Sequence, residues 1–189
     1  ARTRWEGQPT VAAAHEVAFA FSLPDARFLL FLATHRMKSE APRGAGRSLD
    51  PLYRTCNIPK KSGGMRLISE PEPRLKRLQR RLLERGFAKI KLERSAHGFR
   101  PQRSIVSNAR PHVGQELVIN LDISNFFPST KPALIFRACA QLLDGCLSPH
   151  AVGLIADICS YQGGLPLGAP SSPCLANIVL RPVDQIGRA

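Results

Sequence analysis

The sequence predicts a fold that mixes helices and strands, α/β or α+β, on three observations. Residues 75–87 repeat apolar side chains at helical spacing, while residues 53–59 and 65–69 flank a glycine-bearing turn like the arms of a hairpin. Residues 117–123 (LVINLDI) form a short β-branched run of the kind buried inside a sheet. With 189 residues, 43% of them hydrophobic, the chain can fill the core of one large domain or two small ones. That composition excludes a disordered protein.

Taken in order, residues 11–37 read as two helical segments, punctuated at Ser22 or Pro24, with Asp25 in the first turn of the second. Residues 39–51 (SEAPRGAGRSLDP) are rich in Pro, Gly and Ser and read as a linker. Two strands follow at 53–59 and 65–69, joined by Lys60-Lys61-Ser62-Gly63-Gly64, whose glycines allow the positive φ of a hairpin loop. Pro71 and Pro73 open a helix with Leu75, Leu78, Leu82, Leu83 and Phe87 on one stripe and basic residues on its other faces. Residues 117–123 are expected as a buried central strand. Residues 132–143 and 149–161 are expected helices, each with proline in its first turn. A Gly/Pro-rich turn at 163–170 leads to a last helix, 172–186, which Pro182 is expected to kink or end.

No apolar run approaches the ~18 residues of a membrane span, and His15 and Glu16 break the N-terminal apolar segment, which argues against a signal peptide. A cytoplasmic protein without a membrane partner is the expectation. Opening on Ala1, the chain is expected to be processed or a fragment. Five cysteines form an odd set without a C-x-x-C pair, so reduced, buried thiols are expected rather than disulfides or zinc. Charge is more informative. The net charge is +13, and residues 54–110 hold 16 basic against 4 acidic side chains. So local an excess is the footprint of a phosphate-backbone surface, with a merely solvated basic face as the alternative.

Three places have chemistry to offer. Asp122 follows a nearly continuous apolar run, and a carboxylate there needs a partner. It either caps the next turn or binds a hard cation such as Mg²⁺. Lys60, Lys61 and Arg66 around the hairpin glycines can clamp a polyphosphate, unless this is only a solvated tip. The small residues of 163–170 permit close approach of a ligand. His97 and His112 have no carboxylate at triad-like spacing and read as structural. Nucleophile-elbow, Walker and dinucleotide motifs are absent.

The order of these pieces resembles a known family. Ile58-Pro59-Lys60-Lys61-x-Gly63-Gly64-x-Arg66-x-Ile68, Leu75-Lys76-x-x-Gln79-Arg80, Ala96-His97-Gly98-Phe99 and Arg103-Ser104-Ile105 resemble the fingers of bacterial reverse transcriptases. Asn120-Leu121-Asp122-Ile123-Ser124-Asn125-Phe126-Phe127-Pro128-Ser129 resembles their first palm motif. Residues 165–173 (LPLGAPSSP) resemble their nucleotide-proximal loop. Asn108-Ala109-Arg110-Pro111-His112 is similar to a sequence typical of retron enzymes. The resemblance covers residues 53–184, and residues 1–52 resemble the helical N-terminal extension only loosely.

The resemblance implies an α+β fold: an N-terminal helical extension and linker at 1–52, right-hand polymerase fingers at 53–113 and a partial palm at 114–189. The implied activity is RNA-directed DNA polymerisation. Asp122 would be the catalytic carboxylate and bind Mg²⁺ (or Mn²⁺), with the Ile123 carbonyl as a further ligand. Lys60 and Arg66 would hold the triphosphate of a dNTP. Phe127 would lie under its sugar, with Phe126 in the core, and Leu167, Gly168 and Ala169 would line the nucleotide. Lys61, Arg77, Arg80 and Arg81 would contact nucleic acid. So would Arg100, Arg103, Asn108 and His112. The implied partners are an RNA template, an RNA–DNA duplex and a cognate structured non-coding RNA. Two departures stand out. Leu167 replaces the family's usual glutamine, and the aromatic-x-Asp-Asp motif and the thumb are absent. The expectation is therefore a fragment with an incomplete two-metal site. The alternative is a catalytically inactive RNA-binding module on the same scaffold.

Overall fold

A computed structural model describes residues 10–37, 52–60, 63–143 and 145–186. Helices α1 (Val11–Ala20) and α2 (Ala26–Met37) pack against each other. Thr10 caps α1 by accepting the Ala13 N–H at 3.1 Å. Asp25 caps α2 by accepting the Phe28 N–H at 3.0 Å, so it stands just before the helix rather than in its first turn. The expected linker at 39–51 lies outside the described residues.

Strands β1 (Tyr53–Pro59) and β2 (Met65–Pro71) pair antiparallel, with Tyr53 opposite Pro71 and Pro59 opposite Met65. Lys60 N–H donates to the Gly64 carbonyl at 3.0 Å and closes the expected hairpin. Helix α3 (Pro73–Arg85) starts at Glu72, whose carboxylate accepts the Leu75 N–H at 2.9 Å. Leu75, Leu78 and Leu82 are buried as their spacing predicts, each worth about 1.5–3 kcal/mol of apolar burial. Phe87 completes the stripe from a 3-10 turn, Phe87–Lys89. Two short helices follow, α4 (Ile105–Ala109) and α5 (Phe126–Ser129).

The C-terminal helices are α6 (Pro132–Leu142), α7 (Pro149–Ile158) and α8 (Ser172–Ile186). Helix α7 is the centre of the core. It is buried from Ala151 to Ile158 apart from Asp157, and it packs against α1 and α6. Glu16 of α1 binds both the backbone N–H and the hydroxyl of Ser148, the cap of α7, and so ties the N-terminal pair to this core. The helix ends at Ile158, three residues short of expectation, because Tyr161 turns back to bridge Gly164. Helix α8 continues through Pro182 to Ile186. Its last turn is anchored there, since Arg181 and Gln185 both reach the Glu93 carboxylate, at 3.5 and 3.3 Å.

One expectation is overturned. Residues 117–123 are not a buried strand: they pair with no strand among the described residues, and Leu117, Ile119 and Leu121 are 76%, 71% and 91% exposed. A strand persists only where a neighbour pairs its N–H and C=O groups. Among the described residues the named sheet consists of β1 and β2 alone. The fold is a helical core carrying a two-stranded ribbon, and none of its described helices is long and apolar enough to cross a membrane.

Candidate functional site

Residues 161–171 are the most densely bonded part of the site. Tyr161 and Gly164 exchange backbone hydrogen bonds of 2.9 and 3.1 Å, which folds the chain into a tight turn. A Cβ on Gly164 would lie 2.3 Å from the Pro128 carbonyl oxygen, so only glycine admits this approach. The next residue, Leu165, donates its N–H to the Phe127 carbonyl at 2.9 Å. On the other side of the loop, the Leu167 carbonyl accepts the Ser69 N–H of β2 at 2.6 Å. Gly168 has φ +118°, and a Cβ there would lie 3.0 Å from the Ser69 carbonyl oxygen. Ser172, opening α8, donates its hydroxyl to the Pro166 carbonyl at 2.8 Å. Backbone bonds thus join the β-ribbon, the Phe127 turn and the loop.

Of the site residues named from the sequence, this brings together Phe127, Leu167, Gly168 and Ala169. Phe126 and Phe127 meet edge to face at 6.0 Å and are both half-buried against the core, so burial does not set Phe127, expected under the sugar, apart from Phe126, expected in the core. Arg66 lies three residues up β2 from Ser69, roughly 10 Å along the strand, and it pairs with Ile58. Lys60 and Arg66 are exposed on the free half of the hairpin. Lys61 lies outside the described residues.

Asp122 is not gathered in. It is exposed, without a hydrogen bond or ion pair among the described residues, and Ile123 beside it is 52% exposed. The expectation that Asp122 ends a buried strand is corrected accordingly. Asn125, at φ +52°, turns the chain between this segment and α5. Among the described residues no three or more His, Cys, Asp or Glu side chains are grouped to hold a metal ion. A lone exposed carboxylate does not by itself fit a two-metal centre.

The basic residues divide by what holds them. Arg74 bonds Asp25 at 2.8 Å and lies 4.5 Å over the Phe28 ring, joining α3 to α2. That hydrogen bond holds the Asp25 carboxyl below its ordinary range. Lys76 is taken by Glu70 at 2.5 Å. Arg100 donates to the Glu93 and Ala96 carbonyls and so braces its own loop. Arg103 approaches His97 Nε2 at 3.3 Å. Arg81 is half-buried, while Asn108 on α4 and His112 in the turn after it are exposed. Arg77 and Arg80 are exposed and face an open cavity with Arg54.

Sequence reasoning gave no role to Gln79 or Ser69. Gln79 is fully buried and donates to the Tyr53 hydroxyl at 3.0 Å and the Ile158 carbonyl at 2.9 Å. Tyr53 stacks on Tyr161 at 4.1 Å, which links α3 and β1 to the loop. The available signal was an amide between Leu75 and Leu82, on the helix's own apolar stripe. Ser69 acts through its backbone and leaves no such signal.

Known proteins match this chain in sequence. The profile of the reverse transcriptase (RNA-dependent DNA polymerase) family matches residues 58–189. The chain is 37% identical over 156 residues to the retron Mx65 reverse transcriptase of Myxococcus xanthus, covering 70% of this chain and 35% of that protein. It is 31% identical over 187 residues to the retron Ec86 reverse transcriptase of Escherichia coli, covering 97% of this chain and 52% of that protein. The chain therefore spans about a third to a half of the length of these curated relatives. A match over most of the chain, running through every element of the site, means that it belongs to the reverse transcriptase (RNA-dependent DNA polymerase) family, of the bacterial retron type.

Proposed function

We propose that this chain is the template- and nucleotide-binding part of an RNA-directed DNA polymerase. Residues 53–113 act as fingers, residues 114–189 as part of the palm, and residues 1–52 as a helical extension. The observation that carries the reading is the pair of backbone bonds from Leu165 to Phe127 and from Leu167 to Ser69. They join three stretches distant in sequence, the end of β2, the Phe127 turn and the 163–170 loop, and this supports a reading in which one nucleotide touches all three. Lys60 and Arg66 hold the triphosphate of the incoming dNTP, because ammonium and guanidinium groups pair with phosphate oxygens. Phe127 lies against its sugar, and Gly168 and Ala169 let the base pair approach the backbone. The cations of residues 54–110 hold an RNA template and the RNA–DNA duplex, with a structured non-coding RNA as the natural partner. Divalent ions, Mg²⁺ or Mn²⁺, serve reverse transcriptases generally, and Asp122 with the Ile123 carbonyl is this chain's contribution to them. Asp122 is the catalytic carboxylate.

A second reading, an RNA-binding module without catalysis, is favoured by the exposure of Asp122 and by the absence of a carboxylate cluster among the described residues. RNA-templated primer extension by the natural protein containing this chain separates the two. Extension that Asp122→Asn abolishes supports the polymerase. RNA binding without extension supports the module.

A further inference from the structure

We infer that the cavity between the β-ribbon and α3 is a phosphate-binding site. The inference deepens the nucleic-acid reading above and rests on it for the natural source of the phosphate. The cavity has a volume of about 390 Å³, and its charged wall is Arg54 of β1, Glu70 of β2, Glu72 ahead of α3, and Lys76, Arg77 and Arg80 of α3. Residues 73, 76, 77 and 80 follow the i, i+3, i+4, i+7 spacing of one helix face, opposite the buried Leu75, Leu78 and Leu82. The ribbon then closes over that face from the side.

The carboxylates nearby are already engaged. Asp25 is held by Arg74, Glu70 by Lys76, and Glu72 by the Leu75 N–H at the start of α3. Arg54, Arg77 and Arg80 are left exposed, without a hydrogen-bonded anion among the described residues. Three guanidinium groups around one concavity are matched to phosphate, whose oxygens accept their paired N–H donors in a bidentate geometry. Glu70 offsets part of the charge on Arg54 and Asp25 part of that on Arg77, but the four cations of the wall outnumber its two carboxylates, so an entering anion is attracted. Such a phosphate belongs either to a nucleic-acid backbone or to a free polyphosphate. The backbone is favoured, because the positive excess runs on from residue 54 to residue 110, well past the cavity.

The test measures binding of a labelled single-stranded RNA to the full chain across a salt series, and binding of inorganic triphosphate by calorimetry. Circular dichroism confirms that each variant folds. The Arg77→Ala/Arg80→Ala double variant is expected to reduce the slope of log K against log salt by about one, for the one phosphate the cavity no longer holds. Arg77→Lys/Arg80→Lys keeps the slope while losing affinity, since lysine preserves the charge but not the fork. Arg137→Ala, an exposed cation on α6 outside residues 54–110, leaves the slope unchanged. If the RNA slope holds but triphosphate binding disappears in the alanine double variant, the site takes a free polyphosphate. If neither changes, the inference is overturned, and the nucleic-acid reading survives through other cations. An unmodified chain whose RNA binding ignores salt would remove that reading instead, leaving the triphosphate result to decide the cavity.

Discussion

Gly164→Ala isolates the contact on which the 163–170 loop depends. The new Cβ would sit 2.3, 2.7 and 2.8 Å from the carbonyl oxygen, carbonyl carbon and Cα of Pro128. Ordinary contact begins at 3.4 Å, so backbone has to retreat by about 1 Å. No flexible side chain is there to yield. Overpacking of this kind costs about 1–3 kcal/mol. The adjoining bond from Leu165 N–H to the Phe127 carbonyl stretches with it, adding about 0.5–1.5 kcal/mol. Loss of unfolded-state freedom returns about 0.4–1 kcal/mol, leaving a net destabilisation of about 1–3 kcal/mol. Gly163→Ala is the control for backbone conformation. Its Cβ meets nothing within 4 Å, but its φ of +79° costs about 1–2 kcal/mol for a side chain. Urea denaturation of the three proteins, followed by circular dichroism, reads both effects. In the Gly164 variant, hydrogen exchange at Leu165 should also accelerate. A Gly164→Ala chain as stable as the original, with Leu165 equally protected, would refute the claim that the loop is seated on Pro128.

Gln79→Leu is expected to destabilise the chain by about 1–3 kcal/mol, because the Tyr53 hydroxyl and the Ile158 carbonyl lose their buried donor; a denaturant titration checks it. Asp25→Asn is expected to cost less than about 1 kcal/mol at neutral pH, since its ion pair with Arg74 is solvent-exposed. Hydrogen bonding to Arg74 lowers the folded-state pKa of Asp25, so its contribution is present above the ordinary carboxylate pKa and lost as pH falls through the lowered one. The stability gap between the original chain and Asp25→Asn should therefore close in acid. Thiol labelling at pH 8 is expected to modify the exposed Cys56 and Cys146 quickly. It should spare Cys159, whose burial pushes its pKa up to about 12, and Cys139, which burial also raises, until the chain unfolds.

Elements whose signal is local were legible in the sequence. The stripe from Leu75 to Phe87, the hairpin around Gly63-Gly64 and the proline-led starts of α6 and α7 depend on spacing and turn chemistry within a few residues. The segment 117–123 was misread because a strand depends on its neighbour as much as on its own β-branched residues. The candidate site was legible as motifs, but their joining was not. The Ser69–Leu167 and Phe127–Leu165 bonds are made by backbone groups that any residue carries. The fate of each arginine was equally hidden, because Arg74 and Arg77 look alike in sequence, yet Asp25 and Phe28 take the first and leave the second in a cavity.

The most direct test of the account is RNA-templated primer extension by the natural protein containing this chain, compared with its Asp122→Asn variant under Mg²⁺ and under Mn²⁺. The account predicts that the unaltered protein incorporates dNTPs and that the variant binds the same template–primer with the same salt dependence but does not extend it. Extension by the Asp122→Asn variant at the unaltered rate would contradict it.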